Sequence, residues 1–119
     1  MVAPNVVEQG NDFWIDLSEP VGSGPGFRGP GVVIQSDRIN RSALSTVLVC
    51  PLTSTFRHAE APGNDLLAKG EGNLSRRSVA VVSGTTAIDR SLLSRKIGKL
   101  SKSRLYAILD GLMVIVAPD

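Results

Sequence analysis

Between Pro20 and Gly31 the chain places a glycine or proline at eight of twelve positions, and no other stretch restricts its fold so strongly. Glycine reaches positive φ freely and proline fixes φ near −65°, so neither a helix nor a regular ladder strand is expected there. The composition predicts a shaped loop. Val32-Val33-Ile34 then reads as a strand and Ser36-Asp37 as a polar turn. The loop delivers one cation, Arg28, beside the strand end. A solvated arginine on a surface hairpin and a binding residue on a loop held by strands are both compatible with this pattern.

The rest of the chain is short of helix signals until its end. Phe13–Leu17, Gly31–Gln35, Ser45–Cys50, Leu66-Leu67 and Ser78–Val82 read as strands, the last rich in β-branched residues. The polar segment 37–42 reads as a connection. Pro51 has no N–H for a ladder, so the third strand is expected to end or reach an edge there. Ala61–Asp65 and Lys69–Asn73 read as turns. Beyond residue 82 the period changes. Asp89 is placed to cap a short turn through Arg90–Leu93, and Gly98 interrupts the region. Ser101 is placed to cap a last helix reaching Val116, ahead of Pro118. On it Leu105, Ile108, Leu109, Leu112, Ile115 and Val116 fall on one face, a stripe expected to pack on the sheet.

At 119 residues, without repeats or a long linker, one domain spanning 1–119 is expected. The architecture read from the pattern is mainly β with helices, α+β: a coiled or barrel-like sheet with a C-terminal helix. The single cysteine, Cys50, lies in an apolar run and reads as a buried, inert thiol. No apolar run approaches the roughly 18 residues of a membrane span, and no signal-peptide core precedes the first strand. A cytoplasmic setting without membrane contact is the expectation.

One cysteine and one histidine leave no metal motif, and no helix follows Gly22-Ser23-Gly24 to make a nucleotide-phosphate loop. No cofactor is expected. The segment Thr53-Ser54-Thr55-Phe56-Arg57-His58 combines hydroxyls with a guanidinium, a combination that suits phosphate. Ser23 and Arg28 come from the first loop. If the strands ending at the two loops lie side by side, these donors converge on one groove. His58 is either a solvated loop imidazole or a contact to an RNA phosphate or base. With 4% aromatic residues, stacking of many bases is not expected.

Ordered blocks along nearly the whole chain resemble the MazF/PemK family of toxin endoribonucleases. They are Gly10-Asn11-Asp12-Phe13-Trp14, Asp16-Leu17, Gly22-Ser23, Gly29-Pro30, Val32-Val33-Ile34 and Gln35-Ser36-Asp37. They continue with Val49–Ser54, Ala59–Asn64, Arg77-Ser78-Val79, Ala87-Ile88-Asp89 and Ile97–Ser101. The resemblance implies an SH3-like small β-barrel with a C-terminal helix and a homodimer with an RNA groove. It implies metal-independent, sequence-specific cleavage of single-stranded mRNA and a cognate antitoxin partner. By the same resemblance Thr53 contacts the scissile phosphate, and Ser23, Arg28, Ser54, Arg57 and His58 are RNA-binding candidates.

The chain departs from the family at one decisive place. The residue before the loop proline is an arginine given the acid/base role; here it is Gly29, with Arg28 one position earlier as the possible substitute. The pattern also carries a glutamine in many members where this chain has Gly84. The resemblance therefore implies a toxin endoribonuclease whose activity is reduced or lost. Two alternatives are an inactive protein of the same fold that still binds RNA and antitoxin, and a gyrase-inhibiting toxin of the same fold superfamily. The Gly-Ser loop and the Thr53 block fit the ribonuclease branch better.

Overall fold

The computed structural model describes residues 7–17 and 27–119, and His58 by its backbone. Seven antiparallel strands form one sheet in the order β4-β5-β3-β2-β1-β7, with β6 also paired to β3. They are β1 (Asn11–Leu17), β2 (Phe27–Val33), β3 (Thr46–Thr53), β4 (Asp65–Leu67), β5 (Ser78–Ala80), β6 (Thr86–Asp89) and β7 (Leu93–Lys99). A short helix α1 (Asp37–Asn40) lies in the connection between β2 and β3, and α2 (Lys102–Val116) closes the fold.

Both faces of the sheet are buried, by alternate residues of the same strands. Phe13, Ile15, Val33, Val47, Val49, Ile88 and Leu93 pack in one cluster. Val32, Ile34, Cys50 and Leu52 face the other way, joining Leu67, Leu74, Val82, Leu100 and Ile108 of α2. Burial pushes the Cys50 thiol up to about 12, so it stays protonated and inert, as its apolar setting suggested.

The α+β class and the C-terminal helix follow the sequence reading, but the sheet is curled without closing. Among the described residues no ladder joins β4 to β7. Instead the 3-10 turn Glu71–Asn73 lies against β7. Asn73 Nδ2 donates to the Ile97 carbonyl at 3.1 Å. Gly98 sits so close to the Gly72 carbonyl that a Cβ there has no space. Gly98 therefore does not interrupt this region; it is the strand residue that admits the turn, next to Ile97, which the register shift between Asp12 and Phe13 leaves unpaired in the ladder.

Other expectations need correction. Residues 27–31 are not loop but the first part of β2, paired with β1 from Asp16↔Arg28 to Phe13↔Gly31. Pro30 is tolerated because β3 pairs with β2 only from Gly31 onward, leaving residues 27–30 with one neighbour strand. Nor does Pro51 end β3. The strand changes partners there, with β6 along Thr46–Val49 and β5 along Leu52–Thr53, so little is demanded of the missing N–H. Strands β6 and β7 were not foreseen. β7 is an edge strand whose Ser94, Arg95, Lys96 and Lys99 are all exposed, which erases the alternation that marks a half-buried strand.

Ser101 caps α2 as expected, its Oγ accepting from the Arg104 N–H at 3.2 Å. Asp89 likewise accepts from the Ser91 N–H at 2.9 Å. Arg104 ties the start of α2 to Glu71 at 2.8 Å and Asp65 at 3.4 Å. The apolar stripe packs only in its first half. Leu105 and Ile108 are buried and Leu109 and Leu112 partly so, whereas Ile115 and Val116 are 41% and 60% exposed. Met113 and Val114 extend that exposed apolar end.

Candidate nucleic-acid interface

The ladder between β2 and β3 stops at Gly31↔Pro51, and the two strands then part. The gap is a cleft of about 780 Å³. Phe27, Arg28, Gly29 and Pro30 of β2 form one wall, and Leu52, Thr53 and Ser54 form the other. The segment Asn73–Arg76 with Ser78 and, joined to it through the hydrogen bond from Asn73 to Ile97, Trp14 with Arg95–Ile97 complete the lining.

Four cations line this cleft, Arg28, Arg76, Arg95 and Lys96, and no carboxylate does among the described residues. A chain whose net charge is only +2 thus concentrates positive charge where the backbone opens. Such a cleft focuses field lines and attracts an anionic ligand. Ser54, Ser75 and Thr53 add neutral donors. The Thr53 Oγ1 accepts from the Thr55 N–H at 3.2 Å, which fixes the hydroxyl and leaves its own proton available to donate.

The structure brings Arg28, Gly29, Thr53 and Ser54 into one site. Gly29 lies two residues before Gly31 and Thr53 two after Pro51, so each keeps the strand face of that last pair. A Cβ at Gly29 would stand 3.1 Å from Phe27 Cζ. Arg28 belongs to the other face, where its Nε donates to Asp16 Oδ1 at 3.0 Å. Arg57 does not line the cleft; it is exposed in the 3-10 turn Phe56–His58. The backbone of His58 ends that turn, and Ser23 lies outside the described residues. Over the Phe56 ring sits Arg77, 4.4 Å from the centroid.

Sequence reading missed Trp14, Arg76, Arg95 and Lys96. Arg76 carried a local signal, a serine-flanked basic pair just before a β-branched strand. Arg95 and Lys96 carried none, because their strand was itself not recognised. Beside the cleft lies Asp12, fully buried, with both carboxylate oxygens unpartnered among the described residues. Burial pushes its carboxyl up to about 6, against a smaller opposing pull from Lys96.

A family model described as PemK-like, MazF-like toxin of type II toxin-antitoxin system matches residues 8–116. Endoribonuclease MazF6 of Mycobacterium tuberculosis is 35% identical over 107 residues, covering 90% of this chain and 94% of that protein. Endoribonuclease MazF2 of Mycobacterium bovis matches to the same extent, 35% over 107 residues. Among solved structures, MazF from Deinococcus radiodurans superposes with a TM-score of 0.77 at 19% identity, over 95% of this chain and 98% of that one. A mycobacterial endoribonuclease in complex with its cognate antitoxin gives 0.75 at 16% identity, over 96% and 99%.

Proposed function

The chain belongs to the PemK-like, MazF-like toxins of type II toxin–antitoxin systems, and from that premise we propose that its cleft holds single-stranded mRNA for metal-independent, sequence-specific cleavage, at a rate depressed by Gly29. The observation that carries this reading is the charge of the cleft, four cations with no described carboxylate among its lining residues. In the cleavage step a ribose 2′-OH loses its proton to a base and attacks the adjacent phosphorus. The bond from phosphorus to the 5′ oxygen breaks, and an acid supplies that oxygen with a proton. Negative charge grows on the non-bridging oxygens, where hydroxyl and guanidinium donors lower the barrier. Thr53 is the hydroxyl donor of this scheme, and Arg76, Arg95 and Lys96 hold neighbouring phosphates.

Gly29 supplies neither proton carrier nor charge. Arg28 is a poor substitute, because it belongs to the opposite face of an extended strand and is engaged by Asp16. That pair favours a second reading, an RNA- and antitoxin-binding protein with little catalysis. Cleavage of a mixed-sequence RNA by the chain and by its Gly29→Arg variant, each with and without EDTA, separates the two. Cleavage by both, unaffected by EDTA and faster in the variant, supports the first. Cleavage by the variant alone, with RNA still bound by the parent, supports the second.

The protein also acts as a homodimer in this reading. The exposed apolar residues Met113–Val116 at the end of α2 supply a surface that a second copy would cover. The antitoxin is taken as a peptide-like partner of the cationic cleft, since a relative of the same fold is known in complex with its cognate antitoxin. Within the described residues no helix is long and apolar enough to cross a membrane, which is compatible with a cytoplasmic site of action.

A further inference from the structure

Trp14 is the chain's single tryptophan, and it lies 37% exposed on the cleft wall. Its β1 neighbours Phe13 and Ile15 are fully buried, so the strand had a core position on either side for an indole and used neither. In the ladder Trp14 stands directly opposite Pro30 of β2 and Arg95 of β7. Cross-strand partners have Cβ atoms about 4.5–5.5 Å apart. The wall therefore carries an indole and a guanidinium side chain as cross-strand neighbours, one able to meet a base and the other a phosphate. Tyr106 and Phe56 do not line the cleft. Phe56 has Arg77 over its ring, and Phe27 packs into the core cluster beneath β1 and β2.

We propose that Trp14 is a nucleobase platform: one base of the bound RNA strand stacks on the indole while Arg95 holds the adjacent phosphate. The proposal rests on the reading of the cleft as an RNA site. It extends that reading from charge, which is blind to bases, to a subsite that recognises a base plane. Stacking of this kind accepts any base and adds affinity at a single register of the strand. One platform also agrees with the low aromatic content, which rules out a row of them.

The test uses the whole protein, its Trp14→Leu and Trp14→Phe variants, and fluorescently labelled RNA with 2′-fluoro riboses, which lack the attacking hydroxyl. A companion series replaces one nucleotide at a time by an abasic residue, and inorganic polyphosphate serves as the ligand without bases. For the parent protein, affinity should fall roughly 5- to 100-fold when one particular base is removed and little at distant positions. Trp14→Leu should lose a similar factor on intact RNA and become indifferent to the abasic substitution. Trp14→Phe should recover most of the loss, and polyphosphate should bind all three proteins alike. Equal RNA affinity for the parent and Trp14→Leu would overturn the platform while leaving the RNA cleft standing. So would a loss in Trp14→Leu that is as large for polyphosphate as for RNA. If the parent binds neither RNA nor polyphosphate, the cleft reading itself fails and takes the platform with it.

Discussion

At Gly29 the cleft offers bare backbone where RNA cleavage calls for a guanidinium. Gly29→Arg should raise the cleavage rate by roughly 100- to 10,000-fold, the range one positioned acid or base supplies, in a single-turnover RNA assay. The new side chain must displace the Phe27 ring, since the Cβ position is already 3.1 Å from Cζ. In the Gly29→Arg background, Thr53→Ala should lower cleavage by about 10²-fold, because a fixed hydroxyl donor is lost, while RNA affinity changes little. Equal rates with and without the Thr53 hydroxyl would remove Thr53 from the site. Asp12 makes a prediction about stability. Its carboxyl sits near 6 in the fold against an ordinary 3.8, so the folded state binds the proton more tightly than the unfolded chain. Its contribution is therefore most favourable below about pH 4, declines as pH rises towards 6, and is constant above. Asp12→Asn should stabilise the protein at pH 7 to 8, by an amount on the order of 1–3 kcal/mol, and flatten the dependence of Tm on pH between about 4 and 6.

At the scale of elements, the docking of α2 depends on two glycines that touch. A Cβ on Gly111 would collide with the Gly63 carbonyl, and Gly63 itself has φ +79°. Gly111→Ala should therefore destabilise the fold by about 1–3 kcal/mol, an overpacking effect that outweighs the helix propensity gained. A urea titration measures it, and an unchanged midpoint would mean that the helix shifts freely on the sheet. The same helix divides into a packed half and an exposed half, which periodicity alone did not distinguish. Leu105 and Ile115 obey one stripe, yet only the first has sheet beneath it. Strand β7 teaches the converse lesson. Arg95, Lys96 and Lys99 disguise a strand because an edge faces water, and its pairing with β1 comes from a segment eighty residues earlier in the chain.

For the molecule as a whole, charge and assembly are the testable properties. With Arg76, Arg95 and Lys96 holding phosphates, the affinity for single-stranded RNA should fall with salt at a slope near −2 on logarithmic axes, about −0.7 per phosphate neutralised. Arg76→Ala and Arg95→Ala should each reduce that slope by about 0.7, whereas Arg57→Ala, outside the cleft lining, should leave it unchanged. Ile115→Asp with Val116→Lys should convert a dimer to monomer in light scattering at micromolar concentration, with the fold intact by circular dichroism. A parent protein that is itself monomeric would sink the dimer.

The sequence alone carried the strands rich in β-branched residues, the turn capped by Asp89, the last helix capped by Ser101, the inert Cys50 and the family blocks. Each is written in neighbouring residues, through alternation, a capping side chain or an ordered motif. It also isolated Gly29, since a missing arginine is visible without coordinates. Tertiary structure decided what depends on distant pairing. Residues 27–31 became a strand because β1 lies beside them, despite a glycine and proline content that argues for a loop. Pro51 stayed inside β3 because the strand changes partners at that point. The cleft exists because β2 and β3 part after Gly31 and Pro51, and its cations arrive from three separate segments. Nothing in the spacing of Arg28, Arg76 and Arg95 along the chain announces that convergence, for it is the curl of the sheet that brings β7 and the 73–78 segment together at one gap.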